Sequence, residues 1–179
     1  MKIEVNDTIW LDEFSYKDME NLTRYLNDRA IYDATLHIPH PYTLSDARDW
    51  IDHTKQEARD LPVPRNFAIR KSGELIGGVG YLKNVASPYS HLAEVDYWLA
   101  KEYWGKGYMT EIVRCFTKWV FTNLPVEKLT ANVFSGNIAS ANVLTKNNFK
   151  EEGLLHHHIK KDGKFFDCRV FGLLKEEYK

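Results

Sequence analysis

Apolar residues recur at intervals of three and four positions in four segments of the chain. In the segment 108–123, Met109, Ile112, Val113 and Phe116 would lie on one side of a helix. A helix of this kind buries one side and exposes the other. The same spacing predicts helices over residues 16–28, 45–59, 108–123 and 137–147.

A period of two marks the strands, most clearly in the segment 91–100, where Ala93 and Val95 point one way and Glu94 and Asp96 the other. Alternation and flanking turns predict strands over residues 8–14, from residue 67, and over 75–82, 91–100, 128–134, 149–159 and 164–174. Helices come first, an antiparallel set follows, and strands and helices then alternate. This order predicts an α/β fold with one largely antiparallel sheet. No repeat or linker interrupts it, so we expect one domain over residues 1–179.

Composition and charge narrow the class of protein. Hydrophobic residues are 44% and charged residues 27% of the 179 residues, as in ordinary globular domains. The net charge is -1 with no basic block, so we expect no nucleic-acid partner. No apolar run approaches the roughly 20 residues of a membrane span, so no membrane partner is expected either. Cys115 and Cys168 lack metal or redox spacing, which predicts reduced thiols in a cytoplasmic protein.

The candidate chemistry begins at a loop between the strand 91–100 and the helix 108–123. Gly105 and Gly107 let the backbone turn there, and N–H groups at a helix N-terminus attract anions such as phosphate. The loop does not match the dinucleotide fingerprint, because Thr110 stands where a third glycine is required. By itself the loop therefore predicts either an anion site or only a strand-to-helix turn.

A second segment, which follows the next strand, decides between these interpretations. Together the two segments resemble the GNAT superfamily of acyl-CoA N-acyltransferases, and more closely its ribosomal-protein N-acetyltransferase branch. The loop motif of the family corresponds here to Glu102-Tyr103-Trp104-Gly105-Lys106-Gly107. The second motif corresponds to Asn137, Ser140, Leu144, Lys146 and Asn148-Phe149. Weaker similarities extend the resemblance over nearly the whole chain.

The resemblance implies a GNAT-like single domain, with a mixed, mostly antiparallel sheet that is splayed at its central strands and flanked by helices. It also implies acetyl-CoA as the co-substrate and no metal. Backbone N–H groups of the loop would hold the pyrophosphate, and the pantetheine arm would lie beside the end of the preceding strand. The cofactor-binding residues implied are Trp98, Leu99, Ala100, Trp104, Gly105, Lys106, Gly107, Tyr108, Met109, Thr110, Asn137, Asn142 and Lys146.

Two residues depart from the motifs of the family. Glu102 replaces the usual glutamine or arginine at the head of the loop, and we expect it to point to solvent, because a carboxylate would repel pyrophosphate. Asn148 replaces the glycine that ends the helix of the second motif. Asparagine is the next-best residue in the left-handed conformation, so this change is tolerable.

Acyl transfer to an amine requires a base, because an ammonium group has no lone pair. Glu94 is the first candidate for this base and Asp96 the second, since both lie on one face of the strand that leads into the loop. The alternative is that both are ordinary carboxylates that face solvent or form ion pairs.

The thiolate of CoA must also leave, and a proton donor near the sulfur would help. Many GNAT enzymes place a tyrosine where this chain has Leu144, and the ribosomal-protein branch offers a serine, here Ser140. Ser140 would donate to the sulfur or make a local bond at the helix start. Asn137 would be the helix N-cap, a ligand to the cofactor arm, or both.

We therefore expect an N-acetyltransferase that uses acetyl-CoA and acts on a primary amine, with a protein N-terminal α-amino group favoured by the branch. The alternatives are a small-molecule amine, such as a polyamine or an antibiotic, and a CoA-binding sensor without catalysis. His156, His157 and His158 do not predict a metal site, because neighbouring strand residues alternate faces. The sequence leaves the oligomeric state open, a homodimer included.

Overall fold

The structure is a computed structural model that describes residues 1–83 and 88–178. Its strands are β1 (Ile3–Glu4), β2 (Ile9–Asp12), β3 (Asn66–Lys71), β4 (Glu74–Lys83), β5 (Leu92–Leu99), β6 (Lys128–Phe134), β7 (Lys150–Lys161) and β8 (Lys164–Leu174). Its α-helices are α1 (Met19–Leu26), α2 (Arg29–Ala34), α3 (Leu44–Asp60), α4 (Tyr108–Asn123) and α5 (Ile138–Lys146). The strands pair in the order β1-β2-β3-β4-β5-β6-β8-β7 in a mixed sheet, which confirms the predicted α/β class.

Most predicted elements are present, and helix α2 is the main omission. The predicted helix over 16–28 corresponds to a 3-10 turn at Tyr16–Asp18 followed by α1, and no prediction covers α2, which begins after Asp28. Asp28 marks the break, because its side chain accepts a hydrogen bond of 2.8 Å from the Ala30 N–H and so caps α2. Strand β1 has two residues, too few to produce a sequence pattern, and no prediction covers it.

Helix α3 begins at a capping box. The Thr43 hydroxyl accepts a hydrogen bond of 3.2 Å from the Asp46 N–H, and the Asp46 carboxylate accepts one of 2.7 Å from the Thr43 N–H. Thr43 is therefore the N-cap of α3. At 17 residues α3 is the longest helix in the described part of the chain, where no helix is long and apolar enough to cross a membrane.

Contacts between residues divide the chain into two compact units, which are described separately below. The first unit comprises Met1–Gly80 and Tyr97–Tyr108, and the second comprises Tyr81–Asp96 and Met109–Lys179. The expectation of one domain over residues 1–179 stays a prediction.

Trp98 and two glycines fix the end of β5 in the first unit. Trp98 packs against a cluster of buried side chains, and a Cβ atom at Gly78 would lie only 2.6 Å from its indole nitrogen. A Cβ atom at Gly77 would lie 2.5 Å from the Trp98 carbonyl oxygen. Only glycine fits at such distances, so β4 and the end of β5 can approach closely. The cluster consists of Phe14, Leu22, Leu26, Ile31, Tyr42, Ala47, Ile51, Ala68 and Leu75.

Strand β6 organises the second unit, because it pairs with a neighbour on each side. Parallel pairs join its first residues to β5, the last being Thr130 with Glu94. On the other side it is antiparallel to β8, with Phe134 opposite Cys168, and Leu155 of β7 also lies opposite Cys168. Directly opposed residues point to the same side of a sheet, so Phe134, Cys168 and Leu155 share one face.

Helices α4 and α5 have the predicted packing and ends. Ile112, Val113 and Phe116 of α4 have no exposed surface, as the amphipathic pattern predicts. After α5, Asn148 adopts a φ of 65°, the left-handed conformation that was expected at this helix end.

Candidate active site

The glycine loop of the first unit has the backbone that the sequence predicts. Gly105 and Gly107 have φ values of 72° and 82°, in the region that favours glycine, and a Cβ atom at either position would meet no heavy atom within 4 Å. The chain then enters α4, whose first N–H groups have no carbonyl partners within the helix. The loop is exposed and open around both glycines. This geometry suits a phosphate group, although cofactor binding by this loop stays a prediction.

Hydrogen bonds tie the loop to the end of β5. The Trp104 indole donates a hydrogen bond of 2.7 Å to the Leu99 carbonyl, and the Ala100 N–H donates one of 2.8 Å to the Ile76 carbonyl. Leu99 and Ala100 are both buried. A carbonyl oxygen has two lone pairs, so the Leu99 carbonyl can accept a second hydrogen bond beside that of Trp104. The strand end is therefore held rigidly where the pantetheine arm was expected.

Glu102 is exposed, as expected, but its carboxylate is not simply directed to solvent. It accepts a hydrogen bond of 3.1 Å from the Tyr25 hydroxyl and lies 3.5 Å from the Arg24 guanidinium. Burial, followed by hydrogen bonds to Glu74 and Glu102, raises the pKa of Tyr25 above its ordinary value. Tyr25 therefore stays protonated and can donate to Glu102. Side chains of helix α1 thus position the carboxylate of Glu102, the residue at the head of the glycine loop.

The two carboxylates predicted as a base lie together on one strand in the second unit. Glu94 is half-buried and accepts a hydrogen bond of 3.1 Å from the side-chain amide of Asn132. The thiol of Cys168 lies 3.8 Å from the Asn132 carbonyl oxygen and donates to it, which fixes the orientation of the amide. Burial raises the pKa of this thiol, so it remains a donor. Asn132 was not predicted, because its partner is 38 residues away in the sequence.

Asp96 has a higher proton affinity than an ordinary aspartate. Its side chain reaches solvent, but the surrounding protein displaces part of the hydration of its carboxylate. This loss of hydration, followed by the charge of Glu94, raises the pKa of Asp96 from its ordinary 3.8 to about 6. A carboxylate with a pKa near 6 holds a proton more readily at neutral pH than an ordinary one. The structure therefore brings both predicted carboxylates into one electrostatic pair.

At the start of α5, Asn137 has one of the two roles considered for it, that of the helix N-cap. Its side-chain oxygen accepts a hydrogen bond of 3.1 Å from the Ser140 N–H, so Asn137 is the N-cap of α5. Capping of α5 therefore uses the Ser140 backbone rather than its hydroxyl. Leu144 has no exposed surface and belongs to the core. The remaining predicted ligands on α5, Asn142 and Lys146, are exposed.

Asn147 connects two helices through its side chain, a contact that the sequence did not predict. Its side-chain amide donates hydrogen bonds to the Thr110 carbonyl at 3.1 Å and to the Val143 carbonyl at 2.8 Å. It is only 5% exposed and joins the end of α5 to the first turn of α4. An asparagine at a helix end is usually a cap, so the sequence gives no signal for this contact.

Two of the three consecutive histidines interact with an aspartate. His156 Nδ1 lies 3.0 Å from the Asp167 carboxylate, which also accepts a hydrogen bond of 2.8 Å from the His157 N–H. These contacts lower the pKa of Asp167, the backbone bond from His157 most strongly. Strand β7 bulges between Leu155 and Ile159, so regular alternation does not hold there. Within residues 1–83 and 88–178, no group of three or more His, Cys, Asp or Glu side chains could hold a metal ion.

Comparison with known protein families and proteins gives consistent matches. The family model described as an acetyltransferase (GNAT) domain matches residues 8–150. The N-acetyltransferase p20 of Bacillus licheniformis is 30% identical over 178 residues, which are 99% of this chain and 92% of that protein.

Solved structures share the fold over almost the whole chain. A GNAT-family acetyltransferase from Bacillus anthracis superposes with a TM-score of 0.85 at 21% identity, covering 99% of this chain and 100% of the other. RimL, an α-N-protein acetyltransferase of ribosomal L7/L12 solved with coenzyme A, gives the same TM-score at 16% identity and covers 99% of each chain. At these identities the likeness concerns the fold.

Proposed function

The chain belongs to the GNAT family of acetyltransferases, and from this premise we propose that it transfers the acetyl group of acetyl-CoA to the α-amino group of a protein N-terminus. The family membership makes it an N-acetyltransferase; the acceptor is the proposed part. One observation carries the catalytic role: Glu94 is half-buried, oriented by Asn132 and paired with Asp96. A sensor without catalysis would not need a carboxylate held in this way. RimL, whose fold this chain shares, supports a protein N-terminus as acceptor.

The chain would hold acetyl-CoA mainly through backbone groups. N–H groups from Trp104 to Thr110 would bind the pyrophosphate, because they lie at the positive end of α4 beside two glycines in open surroundings. The backbone around Leu99 would pair with the amides of the pantetheine arm. The bound co-substrate supplies the thioester whose acetyl group is transferred.

Protons would move through two side chains. Glu94 accepts a proton from the acceptor ammonium, which frees the nitrogen lone pair to attack the acetyl carbonyl carbon. The carbon–sulfur bond then breaks, Ser140 donates a proton to the leaving sulfur, and the proton that the new amide nitrogen releases returns to Ser140 through solvent. Asn132 leaves one oxygen of Glu94 available for the proton by bonding the other. Asp96 interacts electrostatically with Glu94 and adds negative charge that attracts the acceptor ammonium.

Ser140→Ala should lower kcat about tenfold, the effect of losing one hydrogen bond of roughly 1.4 kcal/mol to a developing charge. The helix should remain stable, because Asn137 caps it through the Ser140 backbone N–H. Thiol release at saturating substrate measures the effect. Thr145→Ala is the matched control, since its hydroxyl makes only a local bond of 3.0 Å to the Ala141 carbonyl. Equal decreases in kcat for the two variants would show that Ser140 has only a structural role.

Asp96→Asn should raise the melting temperature at pH 7 and leave it unchanged at about pH 4. The folded protein retains the Asp96 proton up to about pH 6, whereas the unfolded chain releases it near 3.8. Ionising Asp96 as the pH rises through this window therefore costs folding free energy, and asparagine avoids that cost. The variant should also lose any inflection near pH 6 in its rate profile. Melting curves between pH 4 and 7 test this, and an equal difference from wild type at every pH would contradict it.

The proposed function itself is tested by thiol release from acetyl-CoA with a panel of amines. The panel contains short peptides with free N-termini, the same peptides with blocked N-termini, polyamines and aminoglycosides. We expect release with free N-termini and none with blocked ones. Saturable CoA binding without release for any amine would instead support a sensor, and release only with small amines would support the alternative acceptor class.

A further inference from the structure

One face of the second unit carries the proposed base Glu94 and exposed apolar side chains. Glu94 and Asn132 are hydrogen-bonded on this face, and Phe134 follows Asn132 by two positions on β6 and therefore points the same way. Leu155 shares the side of Phe134, because both lie opposite Cys168. We call this the β6 face and define it by Glu94, Asn132, Phe134, Leu155 and Phe166.

At the apolar end of the β6 face, two phenylalanine rings form an aromatic pair beside a buried isoleucine. The rings of Phe134 and Phe166 meet edge to face, with centroids 5.5 Å apart and planes at 86°. Ile159 lies opposite Phe166 on β7 and is 8% exposed, whereas Phe166 is 38% and Leu155 40% exposed. The pair is thus flanked by the buried Ile159 on the same side of the sheet and is partly open to solvent. Covering it with an apolar group would remove apolar area from water, which is favourable.

The opposite end of the β6 face suits a cation. Glu94 and Asp96 point to this side of β5 and together carry the negative charge that an ammonium group requires. Two positions of an extended strand separate Asn132 from Phe134, a distance of about 7 Å. A peptide with an α-amino group at the carboxylates would place the side chain of its first or second residue at roughly this distance.

We propose that the β6 face selects acceptors in which an apolar or aromatic side chain stands at the first or second residue beside the α-amino group. The inference rests on the proposed acetyltransferase function and names the acceptor class within it. The amine lies at Glu94, and the apolar side chain covers Phe134, Phe166 and Leu155. The negative charge at Glu94 thus determines where the amine binds, and the aromatic pair determines which N-termini are preferred.

The arrangement favours such N-termini over polyamines. A polyamine that placed one amine at Glu94 would bring a second hydrated cation, or its methylene linker, to the aromatic pair. Besides Glu94 and Asp96, this side of the sheet carries Glu152, whose carboxylate lies over Gly172 and pairs with Lys128 at 2.7 Å. Strand β6 itself has no acidic residue, so a second cation at the aromatic pair would lose hydration without gaining a carboxylate from β6.

The test is acetylation of matched tetrapeptides by the full-length protein with saturating acetyl-CoA. The peptides begin Leu-Ser, Ser-Leu or Ser-Ser and are otherwise identical, and spermidine is included. We expect kcat/KM for at least one leucine peptide to exceed that for Ser-Ser by about tenfold or more, the usual effect of filling an apolar pocket. Phe166→Ala should abolish most of this preference, so that the ratio of kcat/KM between the leucine peptides and Ser-Ser falls towards one.

Phe165→Ala is the matched control, because its ring stacks on His157 at 5.4 Å and lies on the other side of β8. The Phe165→Ala variant should retain the preference for the leucine peptides over Ser-Ser. Leu155→Ser provides a second variant at the β6 face should Phe166→Ala fold poorly, and it should also reduce the preference. Equal kcat/KM for all peptides, or a higher value for spermidine, would overturn this inference and leave the acetyltransferase function intact. Absence of thiol release with every amine would overturn both.

Discussion

Glu94→Gln is expected to lower kcat by a factor of about 10² to 10⁴ at pH 7, the range found when a general base is removed. Glutamine can still accept the hydrogen bond that Asn132 donates at 3.1 Å, so the local structure should survive. It cannot take a proton from the acceptor ammonium. The loss should shrink at high pH, because a larger fraction of a peptide amine with a pKa near 8 is then already neutral. Initial rates of thiol release between pH 6 and 10 measure this dependence.

The control for this variant is Glu127→Gln, which removes an exposed carboxylate of the same unit that lies 3.9 Å from the Lys175 ammonium group. It should retain wild-type rates. Glu94→Asp keeps a carboxylate at a shorter reach and should recover part of the activity. A pH–rate profile of Glu94→Gln parallel to that of wild type would remove Glu94 as the base. A larger loss in Asp96→Asn than in Glu94→Gln would assign the base to Asp96 instead.

Gly107→Val is expected to weaken CoA binding by about 10- to 100-fold. Gly107 has a φ of 82°, and a β-branched residue in this conformation costs roughly 1 to 3 kcal/mol. The strain would turn the neighbouring N–H groups away from the pyrophosphate, and the added methyl groups would fill the space that is open at this position. Isothermal titration with CoA and with N-acetylpantetheine, which lacks the phosphates, separates the two parts of the ligand. Only the affinity for CoA should fall steeply.

Gly163→Val gives the matched control for backbone strain. Gly163 has a φ of 75° in the turn between β7 and β8, and a Cβ atom there also meets nothing within 4 Å. Both valine variants should lose similar stability in thermal melts, and only Gly107→Val should lose affinity for CoA. Retention of wild-type CoA affinity in Gly107→Val would show that the loop is not the anion site.

Much of the fold could be predicted from local pattern alone. The bounds of α4, β6 and β8 agree with the predicted ranges, because each has a sustained period of 3.6 or 2 and clear turns at its ends. The sequence pattern did not reveal α2, the six-residue helix that Asp28 caps directly after the predicted helix over 16–28. A single capping side chain and fewer than two helical turns give too weak a periodic signal for a separate helix.

The sequence predicted individual residues of the candidate site but not the contacts between them. The strand position of Glu94 and Asp96 and the glycine loop followed from alternation and motif. No local pattern indicates that Asn132 orients Glu94 or that Asp96 has a pKa of about 6. It also missed the contact of Glu102 with Tyr25, which lies 77 positions earlier.

By itself, the sequence determined the elements, the GNAT family and the residues available for chemistry, because these depend on local periodicity and on motifs of adjacent residues. The tertiary structure decided which side chains meet. The register of β6 against β5 and β8 puts Asn132 between Glu94 and Cys168, and Phe134 beside Phe166. Register is set by pairing between segments far apart in the chain, and a shift of one residue would send every side chain to the other face. No local pattern contains that information.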